Sequence, residues 1–118
     1  MNLTFKIRYR TTFGQQMLIC GNRPQLGNND PDKAVFMQFA NEEEWQFSLD
    51  LEVEDRLELE YYYIFRNEKE GFSYPEYKKR QVSLEADQYL FLELRDTWSS
   101  PGLVDYAFDT QVFDVLLP

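Results

Sequence analysis

Leu57-Glu58-Leu59-Glu60-Tyr61-Tyr62-Tyr63-Ile64-Phe65 is the stretch whose reading decides the fold. Leu57, Leu59, Tyr61, Tyr63 and Phe65 alternate with Glu58, Glu60, Tyr62 and Ile64. Successive side chains of an extended strand point to opposite faces, so this pattern predicts one long strand with an apolar face on a core. Tyr61 and Tyr63 share the face of Leu57 and Leu59 and are expected in the core. Tyr62 points the other way and is a surface candidate. The same alternation places Leu3, Phe5, Ile7 and Tyr9 on a first strand, and Trp45, Phe47, Leu49 and Leu51 on a fourth. Gln16 to Cys20 and Ala34 to Phe39 read as the second and third strands, and Gln81 to Leu84 and Gln88 to Leu94 as later ones.

Turn signals separate these runs. Asn22 to Lys33 holds two Pro, one Gly, three Asn and two Asp, a loop composition. Asn67 to Gly71 reads as a polar hairpin tip. Phe72 to Tyr77 contains Pro75, which cannot donate to a strand ladder and suits an edge or loop. No segment carries a 3.6-residue apolar period. Seven to eight short strands predict an all-β chain, an immunoglobulin-like antiparallel β-sandwich. The 118 residues suit one domain with a real core. Residues 1–98 are expected to form it. Ser99-Ser100-Pro101-Gly102 is linker-like, and the chain stops on Val115-Leu116-Leu117-Pro118. Residues 99–118 therefore read as a linker or the lead into an absent following domain.

The composition removes several chemistries. There is no histidine and one cysteine, so Ser-His-Asp and Cys-His systems, a zinc site and an internal disulfide have no support. Cys20 lies in an apolar strand and is expected as a small buried hydrophobe. No phosphate-cradling glycine motif is present, and no cofactor is expected. A net charge of −9 opposes nucleic acid and anionic membranes as partners. No apolar run approaches the roughly 20 residues that span a bilayer. Met1 opens neither a basic nor an apolar leader segment, so a cytoplasmic location is expected. The carboxylates of Glu42-Glu43-Glu44, Glu52, Glu54, Asp55, Glu58 and Glu60 read as a loop and solvated strand faces rather than a catalytic pair. Lys78-Lys79-Arg80 reads as a solvated strand end or a contact to a next domain. Ten Phe, eight Tyr and two Trp exceed what a small core needs and leave rings for a surface site. Phe13, at a loop tip before Gly14, and Tyr74, beside Pro75, are such rings, whereas Trp98 reads as structural.

In order along the chain stand Phe13-Gly14, then Gly21-Asn22 to Leu26-Gly27-Asn28, Trp45 opening a strand, Tyr61-Tyr62-Tyr63, and Asp96-Thr97-Trp98. Together they resemble the starch-binding domains of carbohydrate-binding module family 20, over roughly Leu3 to Trp98. The pattern Ile7-Arg8-Tyr9, Phe13-Gly14-Gln15 and Leu18-Ile19-Cys20-Gly21, with the tail Ala107-Phe108 and Val112-Phe113-Asp114-Val115, further resembles the N-terminal module of a glycoside hydrolase family 77 4-α-glucanotransferase. The amylomaltase, or disproportionating, type is implied. The resemblance implies a non-catalytic module that binds α-1,4-glucans (starch, glycogen, maltooligosaccharides), with downstream domains of the same polypeptide as its other partners.

Family members carry two sugar sites. One uses two Trp and a Lys. Here the first Trp position is Asn29, the Lys position is Tyr62, and the second Trp position is Tyr74. Tyr62 and Tyr74 are then the rings of that site, with Asn29, Glu76 and Lys78 as hydrogen-bonding groups. The other site falls on Phe13 and Trp45, with Gln16 as polar partner. The departures at Asn29 and Tyr62 motivate an alternative: a structural or docking β-sandwich of the same enzyme that has lost sugar affinity.

Overall fold

The computed structural model describes residues 1–52, 55–76, 79–85, 91–98 and 111–114. Their strands are β1 (Asn2–Arg8), β2 (Gln15–Gly21), β3 (Val35–Phe36), β4 (Gln38–Asn41), β5 (Glu44–Asp50), β6 (Arg56–Asn67), β7 (Phe72–Pro75), β8 (Arg80–Glu85), β9 (Phe91–Thr97) and β10 (Gln111–Asp114). They form two sheets, ordered β10-β9-β1-β5-β4 and β3-β2-β6-β7, with β8 also paired to β6. The sandwich expected from the alternation is the fold observed. Two details differ. The described residues give ten strands rather than seven or eight, and β1 pairs with β9 in parallel rather than antiparallel.

The extra strands have local causes. The expected third strand is two short ones. Val35 and Phe36 pair with β2, whereas Gln38 to Asn41 pair with β5 in the opposite sheet. Between them Met37 is buried and its N–H donates to the Met17 carbonyl at 2.9 Å, so the chain changes sheets there. Gln111–Asp114 adds an antiparallel edge strand beside β9.

The deciding stretch behaves as its period requires. Leu57, Leu59, Tyr61, Tyr63 and Phe65 of β6 face Leu3, Phe5 and Ile7 of β1 and Leu92 and Leu94 of β9 in one core. Phe5 meets Tyr61 edge-on at 5.0 Å between centroids. Each large apolar side chain so buried contributes about 1.5–3 kcal/mol. The other face of β6 is also covered: Tyr62 and Ile64 form a second apolar cluster with Leu18 and Cys20. Cys20 is fully buried, as its strand pattern predicts.

At 12 residues, β6 is long enough to pair with β2 on one edge and to serve two neighbours on the other, β8 over its first half and β7 over its last four residues. Arg80 is a correction. It opens β8 on the same face as Val82 and Leu84, and its side chain is only 4% exposed rather than solvated. It bonds Glu76 Oε2 at 2.6 Å and Asp96 Oδ1 at 3.3 Å. Asp96 follows Leu92 and Leu94 on the inner face of β9 and accepts the hydroxyls of Tyr61 at 2.8 Å and Tyr63 at 2.6 Å. Burial pushes the Tyr63 phenol well above its ordinary value, and the Asp96 charge adds to that. Burial alone would lower the Arg80 guanidinium, but Glu76 and Asp96 outweigh it and hold it above its usual value. Buried charges persist only when paired and hydrogen-bonded, which this cluster achieves.

Candidate functional site

Two grooves gather exposed rings, and each is built from the sequence outward. The first lies at the β1–β2 turn. Gly14 adopts φ +88°, a conformation glycine tolerates, and its carbonyl accepts the Glu68 N–H at 2.9 Å. That turn leaves Phe13 at its tip, 99% exposed. Across a groove of about 540 Å³ stand Trp45 and Phe39, with Thr12, Gln15 and Glu42 on the walls. Trp45 is mostly buried, and its indole N–H donates to Thr11 Oγ1 at 3.0 Å. Phe39 is 57% exposed and stands at 80° to the indole, 5.4 Å between centroids. Phe13 and Trp45 are therefore brought together as the sequence resemblance implied.

Gln16 is not brought to them. It sits on β2 opposite Arg66, away from the groove, and its Oε1 is buried without a hydrogen-bond partner. Its neighbour Gln15 borders the groove and accepts the Thr12 N–H at 2.8 Å. One residue along a strand reverses the face, so the shift moves the amide to the other side.

The second groove, of about 480 Å³, lies where β7 meets the outer face of β6. Tyr62, Ile64, Ser73, Tyr74, Pro75 and Lys79 line it, and Pro31 and Asp32 close one side. Tyr74 borders the groove from β7 and is 41% exposed. It pairs with Phe65, however, and its ring lies on that inner row, 5.0 Å from the Phe65 ring. The structure therefore does not bring it onto the face of Tyr62 and Ile64. Phe72 stacks on Tyr74 at 5.8 Å with planes 9° apart, and Trp98 meets it edge-on at 6.1 Å. Trp98 is half-buried against Tyr9, which fits its structural reading. Tyr62 points outward, as read from the alternation, yet it is largely buried under its neighbours. Burial first, then a hydrogen bond to Cys20, pushes its phenol up to about 12. Lys79 Nζ lies 5.7 Å from the Tyr62 ring centre and 3.6 Å from Glu60. It puts an ammonium over the face of that ring.

The remaining candidates divide. Asn29 is an exposed loop residue at φ 64° whose N–H donates to the Gly21 carbonyl, and it does not line the groove. The preceding Leu26-Gly27 fixes that loop: Leu26 is fully buried, and a Cβ on Gly27 would lie 2.5 Å from the Lys33 carbonyl oxygen. Glu76 touches the groove, but its side chain is fully buried and its carboxylate receives Arg80 and the Tyr63 N–H. It is a structural acid. Lys78 lies outside the described residues. Sequence reasoning missed Phe39, Phe72, Gln15 and Lys79. A second ring six residues before Trp45, and a ring two residues before Tyr74 on the same face, were the available signals.

A family model described as "Starch binding domain" (CBM_20) matches residues 1–90. Among solved structures, the glycoside hydrolase family 15 glucoamylase of Hypocrea jecorina aligns at 26% identity with a TM-score of 0.69. It covers 85% of this chain, which spans 17% of that enzyme. The glucoamylase of Hormoconis resinae aligns at 18% identity and a TM-score of 0.71, with 88% of this chain and 18% of that one covered. The family 20 carbohydrate-binding module of a maltotetraose-forming amylase from Pseudomonas saccharophila STB07 aligns at 23% identity and a TM-score of 0.62, over 83% of this chain and all of that one. At 18% and 23% identity the likeness is one of fold. No curated protein sequence matches.

Proposed function

We infer, from the premise that this chain belongs to the starch-binding domain family, that its two ring-lined grooves hold α-1,4-glucans and target an attached enzyme to its polymer. The chain is an α-glucan-binding module of the family and not an enzyme by itself. The observation that carries the site assignment is Phe13. A ring 99% exposed at a glycine turn, facing Phe39 and Trp45 across a groove, has no core to join. One face of an α-glucosyl unit is a sheet of C–H bonds that lies flat on such a ring, while its rim hydroxyls need donors and acceptors. Gln15, Thr12 and Glu42 supply these in the first groove, and Lys79, Asp32 and Ser73 in the second. Rigid rings bury apolar area at small entropic cost. A few such contacts give about 4–7 kcal/mol, or high-micromolar to millimolar affinity.

The attached enzyme in this reading is a 4-α-glucanotransferase of the amylomaltase type, acting on starch, glycogen or maltooligosaccharides in the cytoplasm. The family 77-like sequence features named above support it. Weak grooves become effective when tethered to a polymer-acting partner, because the second contact is intramolecular.

The experiment is a calorimetric titration with β-cyclodextrin and maltoheptaose, beside a folded Phe13→Ala, Tyr74→Ala double variant. Heat from the wild type that is lost in the variant supports the module. A wild type that gives no heat at millimolar ligand leaves the docking role, which the exposed Asn29 in place of a ring favours at the second groove.

A further inference from the structure

Phe36 is 50% exposed and lines neither groove. Its strand, β3, is two residues long, and Val35 is the one that packs on the core. The pairing register shows which face Phe36 takes. It lies opposite Leu18 of β2, Leu18 opposite Ile64 of β6, and Ile64 opposite Pro75 of β7. Paired residues share a face, and Leu18 and Ile64 belong to the outer apolar cluster with Tyr62. One row therefore crosses the outer face of four strands, from Phe36 to Pro75. Three strand spacings make it roughly 14 Å long. The adjacent row, two residues along each strand, is Gln16, Arg66 and Ser73.

The second groove occupies one end of these rows, where Ile64, Pro75 and Ser73 line it. Phe36 stands at the other end. Leu18 and Ile64 form an apolar floor between the two. Arg66 Cζ lies 5.6 Å from the Phe36 ring centre although β2 separates their strands. The two side chains therefore lean towards each other over Leu18 and Gln16. Gln16 Oε1 is buried without a hydrogen-bond partner. The far end of the rows thus combines a half-exposed ring, a cationic donor and an amide acceptor. The groove end has no exposed ring on this face, because Tyr62 is buried and Tyr74 lies on the inner row.

We propose that Phe36 is the aromatic platform of the second groove, with Arg66 beside it donating to the sugar rim, so that an α-1,4-glucan lies across β6, β2 and β3. The proposal rests on the reading that this groove binds α-glucan. A glucosyl unit lays its C–H face on the Phe36 ring, a rigid contact that costs little side-chain entropy. The Arg66 guanidinium carries five N–H donors, so it can stay over the ring and still reach hydroxyls. A row of roughly 14 Å is longer than one disaccharide and suits an oligosaccharide. The neutral polyol fits a face whose apolar floor continues directly from the groove that Ile64 lines.

The test uses the full chain in a Phe13→Ala, Phe39→Ala background, which strips the first groove of its exposed rings. Maltoheptaose binding is read by NMR titration, and folding by urea unfolding. Phe36→Ala is expected to keep the urea midpoint of this parent and to lower maltoheptaose affinity roughly tenfold. Phe36→Tyr, which keeps the ring, retains the affinity, and Arg66→Gln weakens it. If Phe36→Ala does not fold, Phe36→Leu decides, because it keeps apolar bulk on β3 and removes the flat ring. Full affinity in the folded ring-less variant overturns the proposal and leaves the groove reading in place. A parent that does not bind maltoheptaose overturns the reading of the second groove, and this inference with it. The two failures are told apart by the parent.

Discussion

The Trp45 indole N–H donates to the Thr11 hydroxyl at 3.0 Å, both residues being largely buried. This bond ties Thr11, three residues beyond the end of β1, to the start of β5 and fixes which part of the indole is left facing the groove. Trp45 is thus both a core residue and a groove wall. Trp45→Ala is expected to cost about 3–5 kcal/mol of stability, as truncation of a large buried ring does. Trp45→Phe keeps a ring but leaves the Thr11 hydroxyl without its donor, at about 1–3 kcal/mol. Urea unfolding of the two variants checks the order.

Phe13 offers the opposite case. At 99% exposure its ring supports nothing in the fold. Phe13→Ala is expected to stay within about 0.5 kcal/mol of wild-type stability. Its loss should appear in binding, with maltoheptaose affinity at the first groove falling roughly tenfold, or about 1.4 kcal/mol. Phe39→Ala, which removes the ring standing over Trp45, should weaken the same groove. Titration calorimetry with thermal unfolding separates binding from stability.

Asp96 anchors two tyrosine hydroxyls and Arg80 in the core. Tyr63→Phe removes one donor and leaves the carboxylate with Tyr61 and Arg80, an expected cost of about 1–3 kcal/mol. Asp96→Ala removes the carboxylate that Arg80 and the Tyr61 and Tyr63 hydroxyls all bond, and should cost about 3–5 kcal/mol. A smaller loss for Asp96→Ala than for Tyr63→Phe would contradict the network.

Alkaline pH should unfold the protein through its phenols. Burial pushes Tyr9 up to about 12, helped by its hydrogen bond to Tyr74, and burial does the same for Tyr62. A phenol raised in the folded state contributes stability that is full below its unfolded value near 10 and is lost as pH rises towards 12. Tyr62 borders the second groove, so its ionisation should leave binding there flat across neutral pH. Tyrosinate absorbance followed with β-cyclodextrin binding checks both expectations.

Acid pH acts through Glu93. Burial pushes its carboxyl up, but Arg95 and Lys6 outweigh burial and hold it below its ordinary value. A depressed carboxylate adds stability above its unfolded value of 4.5, lost as pH falls through the lower folded one. Lys6→Met removes the partner 3.3 Å away and should shrink that acid-side loss. Urea midpoints at neutral and acid pH measure it.

The period-two alternation of β1, β5 and β6 determined the sandwich and most of its core, because extended backbone leaves a side chain only two directions. It also placed Tyr62 on the outer face, while the position of Phe13 before Gly14 placed that ring at a loop tip. The inward faces of Arg80 and Asp96 were legible in the same way, since they continue the rows of Val82 and Leu84 and of Leu92 and Leu94. Their charge argued for solvent instead, and only the tertiary structure brings Arg80, Glu76 and Asp96 close enough to pay one another's desolvation. Tertiary packing alone decided that Met37 carries the chain between sheets, that Tyr62 is covered by Leu18 and Cys20, and that Gln15 rather than Gln16 borders the first groove. Sequence period fixes the face of a residue; what that face meets depends on residues remote in the chain, and contact between them exists only once the two sheets have packed.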